Sequence, residues 1–340
     1  MTARRGWTRL TAVVAAAAVA ACTPAPRGDV PRPSAPQPRP PAVEATQAQP
    51  RTVGCKGSTA SLRPDGTELV RLPRGGAIDR IRQRGQLRVG VSQTAGRLSS
   101  RNLRTGAVEG LEADLAIAIA RAIFPDRDPA TVPDLIQYVA MPTRDRFLAL
   151  TTTENGNYPP ATNVAKVDLI IADASVTCER VDTYGVRFSV PYLQTRQGLL
   201  TYRGTLSGWD PRTGITGRTV CAGAGTINLD RITKLGGIAV PVVDTTDCLV
   251  QLQRHQVDAV STDDVILEGF RDQDPNTEIF PGVVDTVDLA AVAIANRDED
   301  LVRVVNAALE RMRGQQMTQL YAKWFPGRTM VMPPADYEGG

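Results

Sequence analysis

Short apolar runs of strand length alternate with amphipathic helical stretches along most of this 340-residue chain, a rhythm that predicts an α/β fold with parallel strands. Three observations carry that prediction. Leu87-Arg88-Val89-Gly90-Val91 and the run VDLIIADASV at 167–176 are nearly continuous apolar segments, as strands buried on both faces require. Residues 110–123, GLEADLAIAIARAI, place Leu111, Leu115, Ala118, Ile119 and Ala122 on one helical face. About 285 residues follow the N-terminal region, enough for two lobes of ordinary domain size.

The N-terminal region has its own logic. Arg4, Arg5 and Arg9 precede a short alanine-rich apolar stretch, LTAVVAAAAVAA at 10–21, too short for a good membrane span. It ends in Val19-Ala20-Ala21-Cys22, the pattern of a bacterial lipobox, so residues 1–21 read as a lipoprotein signal peptide and Cys22 as the lipidated residue. Residues 22–54 are rich in Pro, Ala and Gln and poor in large apolar side chains; they read as an extended, lipidated tether outside the membrane. The lipid would be the only membrane attachment. The net charge of +3 belongs to the signal segment, which carries three arginines and no acid. The balanced remainder offers no basic surplus for nucleic acid.

Further along, RDRFLAL (144–150) reads as a helix and TTTENGNYPPATNV (151–164) as a surface loop. TVCA (219–222), PVVD (241–244) and VDAVST (257–262) read as strands, with helices at 226–235 and 246–254 between them. A helix from about Asp298 to Met312 and a shorter one with Leu320, Trp324 and Phe325 close the pattern. Cys55, Cys178, Cys221 and Cys248 form an even set in an exported chain, which points to two disulfides with three possible connectivities. No metal-ligand spacing or cofactor motif stands out, and the single histidine, His255, reads as a surface residue.

Three places could carry chemistry. DASVTCER (173–180) follows a strand, where open α/β sheets bind ligands. Ser175, Thr177 and Arg180 there would make a carboxylate receptor, since arginine donates two parallel charge-assisted bonds; a surface ion pair is the plainer account of the arginine. AGAGTIN (222–228) opens a helix after a strand and could present amide donors to an anion, or be a tight turn. Asp263, with Asp264 beside it, stands at a strand end and could take an ammonium group or cap a helix. Together they offer a cationic fork, amide donors and an anion, which is what a zwitterionic amino acid needs.

The same segments carry a family likeness. LRVGV, EGLEADLAIAIA, VDLIIADASVTCER with FSVPY, GRTVCAGAGT, VDAVSTDD and QLYAKWF occur in an order that resembles the family 3 bacterial solute-binding proteins. More narrowly the chain resembles the actinobacterial glutamine/glutamate/aspartate-binding lipoproteins of ABC transporters, from about Cys55 to Phe325. The resemblance implies a two-lobed, type II periplasmic-binding-protein-like fold with two hinge-crossing strands and a cleft between the lobes. Lobe I would take residues 55–194 and return at 287–340 with the C-terminal tail, and lobe II would take 195–286. The crossings would lie near 194–199 and 286–294.

It further implies that Arg180 holds the ligand carboxylate, with Ser175, Thr177, Thr226 and Asn228 as its partners, while Asp263 takes the ammonium. Cys221 would pair with Cys248 and Cys55 with Cys178. The segment Arg97-Leu98-Ser99-Ser100, the segment Gly110-Leu111-Glu112, and the stretch Met141 to Arg146 lack the family's aromatics, so no aromatic wall is expected. Gln93, Arg97, Leu98, Ser99 and Arg144 are then expected near the ligand side chain. The implied function is capture of a free polar or acidic amino acid (Glu, Asp, Gln or Asn) by a monomer that delivers it to an ABC permease. The alternative is a sensor that reports amino-acid availability to a membrane partner. An enzyme is not expected: only Glu179 and Asp173 stand beside Arg180 as acid–base candidates.

Overall fold

The computed structural model describes residues 59–64, 66, 74–151, 164–203, 214–281 and 287–339. Cys22, Cys55, nearly all of the 151–164 loop and the Arg144 side chain lie outside what is described.

The first apolar run forms β1 (Leu87–Val91), the second strand of a five-stranded sheet. It pairs in parallel with β5 (Ile136–Ala140) and β6 (Leu169–Ile170). Beyond β6 come β14 (Ala293–Ala295) and then β7 (Val186–Phe188), both pairings antiparallel. Between β1 and β5 the chain makes a small antiparallel meander, β2 (Thr94–Ala95), β3 (Ser99–Arg101) and β4 (Val108–Glu109), then enters helix α2 (Leu111–Ile123). Gly110 joins them at φ 138°, and a Cβ there would sit 2.0 Å from the Leu98 carbonyl oxygen, so only glycine fits. The apolar faces of α2, α1 (Ala77–Arg84), α7 (Glu299–Met312) and α8 (Gln315–Trp324) cover this sheet in one continuous core.

A second sheet repeats the plan. Its β9 (Thr219–Gly223) lies between β10 (Ile238–Val242) and β11 (Ala259–Asp263), all parallel. Next to β11 runs β8 (Leu193–Tyr202), antiparallel, and then β12 (Thr277–Pro281). Helices α4 (Ile227–Lys234), α5 (Asp247–Gln253) and α6 (Asp264–Gln273) follow these strands and pack on the sheet. Cys221 on β9 and Cys248 on α5 are disulfide-bonded inside this core, their Cα atoms 5.5 Å apart. Cys178, at the start of helix α3 (Cys178–Tyr184), is also disulfide-bonded.

Each sheet contains a parallel trio, β5-β1-β6 and β10-β9-β11, with the earliest of the three in the middle and an antiparallel strand, β14 or β8, beside the third. Two strands run between the sheets. The first four residues of β8 pair with β13 (Val287–Ala290), and its later residues with β11 and β12.

Two local expectations differ from the structure. RDRFLAL forms two single 3-10 turns, Thr143–Asp145 and Phe147–Ala149, rather than a helix. The run 167–176 is a ladder strand only at Leu169–Ile170. Just past it Asp173 adopts φ 47°, and its N–H donates to the Glu112 carboxylate at 2.6 Å in place of a strand partner. Side-chain acceptors displace the ladder there, and the strand ends.

Candidate functional site

A cleft of about 600 Å³, its open mouth included, is lined by residues that stand just past strand ends on both sheets. From the first sheet come Ser92 after β1, Thr143, Arg146 and Phe147 after β5, and Asp173 to Ser175 after β6. From the second come Thr226 and Asn228 after β9, Asp244 to Thr246 after β10, and Asp263 at the end of β11. Carboxyl ends of parallel strands expose backbone that the sheet no longer uses, and ligands bind there in open α/β folds.

Arg180 is buried in the first turn of α3. Its Nη1 donates to the Ser175 carbonyl at 2.6 Å, and its guanidinium carbon lies 4.7 Å from the centre of the Phe147 ring. The ring face and the carbonyl hold the planar fork in one orientation. Burial, and then the neighbouring Arg146 charge, lower its pKa to about 10, so it stays cationic at neutral pH. Thr177 contributes indirectly. Its hydroxyl accepts the Arg180 backbone N–H at 3.2 Å and caps α3, so it fixes the arginine's helix rather than lining the cleft.

Thr226 caps α4 in the same way, accepting from the Leu229 N–H at 3.2 Å and donating to the Gly223 carbonyl at 2.7 Å. Asn228 donates to Asp263 at 3.0 Å, and Thr195 on β8 donates to the other Asp263 oxygen at 3.0 Å. Asp263 makes no side-chain cap on α6, so the plainer account of it as a helix cap does not hold. Burial raises its carboxyl above the ordinary range, against the hydrogen bonds from Asn228 and Thr195 and the neighbouring Asp173, which lower it. Arg180 and Asp263 therefore stand on opposite walls of one cleft, each oriented by neutral partners.

Four residues expected at the cleft are elsewhere. Leu98 is fully buried in the first core. The Ser99 hydroxyl donates to Glu112 at 2.8 Å. Gln93 accepts from Arg101 at 2.8 Å. Arg97, in a left-handed conformation at φ 67°, turns its guanidinium onto Asp272 and Glu268 of α6. The meander directs these side chains into its own packing or across to α6, so none lines the cleft.

Residue-type reasoning did not single out Arg146, Asp244 or Phe147. Arg146 stands on the turns that follow the carboxyl end of β5, and that position was the available signal. Its Nη1 donates to the Ala172 carbonyl at 2.5 Å, whereas its buried Nε has no partner among the described residues. Burial lowers its pKa, and the acids Glu112, Asp173 and Asp244 counter that shift. Phe147 supplies an aromatic face where none was expected. Behind the wall, the fully buried Glu112 accepts from Tyr192, Ser99 and the Asp173 N–H, and so positions the loop that carries Asp173 to Ser175.

Residues 87–327 match the model of the bacterial extracellular solute-binding proteins, family 3. The glutamine-binding protein of Geobacillus stearothermophilus is 26% identical over 231 residues, covering 67% of this chain and 80% of that protein. The glutamate-binding protein GluB of Corynebacterium glutamicum is 26% identical over 253 residues, covering 68% and 75%. Among solved structures, a mutant of ArgBP from T. maritima superposes with a TM-score of 0.61 at 26% identity, covering 73% of this chain and 99% of that one. A solute receptor for L-cysteine from Neisseria gonorrhoeae shares the fold, with a TM-score of 0.62 at 20% identity and coverage of 73% and 93%. The chain belongs to the family 3 extracellular solute-binding proteins, and its fold is the two-lobed, type II periplasmic-binding-protein-like fold.

Proposed function

We propose that this family member is an extracytoplasmic receptor that closes on a free polar or acidic amino acid and hands it to an ABC permease. One observation carries the reading: a buried guanidinium and a buried carboxyl, Arg180 and Asp263, face one cleft from opposite sheets. Arg180 would hold the α-carboxylate with Ser175 and the amide donors at Thr226 and Asn228. Asp263 would take the α-ammonium. A ligand that bridges both walls binds the closed arrangement better than the open one, and that difference drives closure. The unpartnered Arg146 Nε would donate to a side-chain carboxylate or carboxamide, which favours Glu, Asp, Gln or Asn. The names of the glutamine- and glutamate-binding relatives support the same ligand class. In this proposal residues 55–194 and 287–340 form lobe I, residues 195–286 form lobe II, and Cys22 carries the lipid. The bonded state of Cys178 supports a bridge to Cys55.

Calorimetric titration of the full-length protein in detergent against the proteinogenic amino acids tests this. One or more of the four should bind. Arg180→Ala should weaken that binding by about 2–5 kcal/mol, roughly 30- to 5,000-fold, because the ligand carboxylate is left buried and unpaired. Absence of heat from every amino acid with folded protein would refute the amino-acid reading.

A further inference from the structure

We propose that Asp173 is a second carboxylate of the ammonium seat, facing Asp263 across the cleft, and that a ligand's primary ammonium displaces a proton which the two acids share. This deepens the reading above and rests on it.

Asp173 lines the cleft from the loop after β6, and Asp263 lines it from the end of β11. Both carboxyls line the same cleft, and each perturbs the other: the Asp263 charge raises Asp173 while Asp173 lowers Asp263, so a proton held between the two acids sits on Asp173. Among the described residues no N–H or hydroxyl reaches either Asp173 oxygen, although both are buried. A buried carboxyl so placed, with no donor of its own, is an acceptor site on the cleft once its proton leaves. The backbone holds it there. Asp173 occupies φ 47°, a region that costs a branched or bulky residue dearly, and its N–H is fixed by Glu112 and Tyr192 at 2.6 and 3.2 Å.

The surrounding charges favour retention of the proton. Burial raises the Asp173 carboxyl well above its ordinary value, and Asp263 and Glu112 raise it further, while Arg146 pulls it down. Arg180 faces Asp263 from α3, and Asp288 on β13 adds repulsion behind it. An ammonium group between the two acids reverses the balance. Its N–H groups donate to both carboxylates, the acidic proton leaves to solvent, and the seat changes from one negative charge to two against one new cation. Affinity therefore rises with pH up to the pKa of the unliganded pair, by at most about tenfold per pH unit. The seat demands a free amine, so N-acetylated amino acids should not enter it.

The test uses the full-length protein with L-glutamine and L-glutamate as probes. Binding enthalpy is measured in phosphate and in Tris, which differ in ionisation enthalpy, and affinity is measured from about pH 5 to pH 8. Wild type should release a large fraction of one proton. Asp173→Asn should bind roughly 10- to 100-fold more weakly at the upper pH, with no difference between buffers. Asp173→Gly, which relieves the left-handed backbone, should behave the same and decides the matter if the asparagine variant fails to fold. Wild-type binding with no buffer dependence overturns the proposal, as does proton release that persists in either variant. Neither result touches the amino-acid reading. Wild type that binds no amino acid at all overturns both.

Discussion

Arg97 does not touch the cleft, yet its removal should loosen the grip on ligand. It leaves the β2–β3 turn on the first sheet and reaches α6 on the second. There it makes a paired contact to Asp272, Nε–Oδ2 at 2.6 Å and Nη2–Oδ1 at 2.9 Å, and a bond to Glu268 at 2.5 Å. Arg328 braces the same helix from the C-terminal segment, through Glu268 at 3.1 Å and Asp264 at 2.8 Å. The backbones meet beside it, since a Cβ on Gly96 would lie 3.4 Å from the Gly269 Cα. This is a charged latch across the two sheets. Its worth follows from exposure. The Asp272 side chain is 49% exposed and Glu268 14%, so the first pair is worth a few tenths of a kcal/mol and the second more. Arg97→Ala should therefore cost the closed arrangement about 1–2 kcal/mol, with Arg328 still holding Glu268 and Asp264. A closure-dependent ligand then binds about 5- to 30-fold more weakly, mostly through faster release. Stopped-flow release at about 0.1 M salt, repeated at about 1 M where the screening length falls to roughly 3 Å, measures both parts. The reasoning fails if release in Arg97→Ala stays within about twofold of wild type at low salt, or if the difference survives high salt undiminished.

Two further outcomes follow from the cores. The Cys221–Cys248 bridge closes a loop of 27 residues, so the double alanine variant should lose about 3.5 kcal/mol by the chain-entropy relation. Urea denaturation reads that loss, and a value below about 1 kcal/mol would mean the bridge only decorates an already rigid core. Asn306, fully buried on α7, donates to Ser61 and to the Leu62 carbonyl at 2.7 Å each and accepts from the Val190 N–H at 2.8 Å. Asn306→Leu would orphan these groups and should destabilise the protein by about 3–5 kcal/mol, with faster amide exchange at Val190. Unchanged exchange there would show that other donors replace the asparagine.

Much of this protein was legible before any coordinates. The helices at 111–123 and 299–312 lie within a residue of where their apolar periodicity puts them. The strands at 87–91 and 219–223 match their apolar runs, because burial on both faces leaves a mark in consecutive residues. Strand ends made Arg180 and Asp263 candidates by residue type, with an ion pair and a helix cap as the plainer accounts, and the family resemblance supplied their expected roles. What local pattern cannot hold is direction and partnership between remote segments. Arg97 reads as a cleft arginine by its place after β1, but a left-handed turn sends it to α6. Leu98 and Ser99 go into the core and onto Glu112 for the same reason. Phe147 and Arg146 join the cleft only because β5 lies beside β1, a pairing between segments 49 residues apart. Asp173 and Asp263 come from different sheets, and they line one cleft only once the pairing of β8 with β13 has joined those parts of the chain. The sequence by itself determined which segments could be buried and which residues carried charge. The tertiary structure alone decided which of those charges meet, because their energies depend on distance and burial that no neighbouring residue encodes.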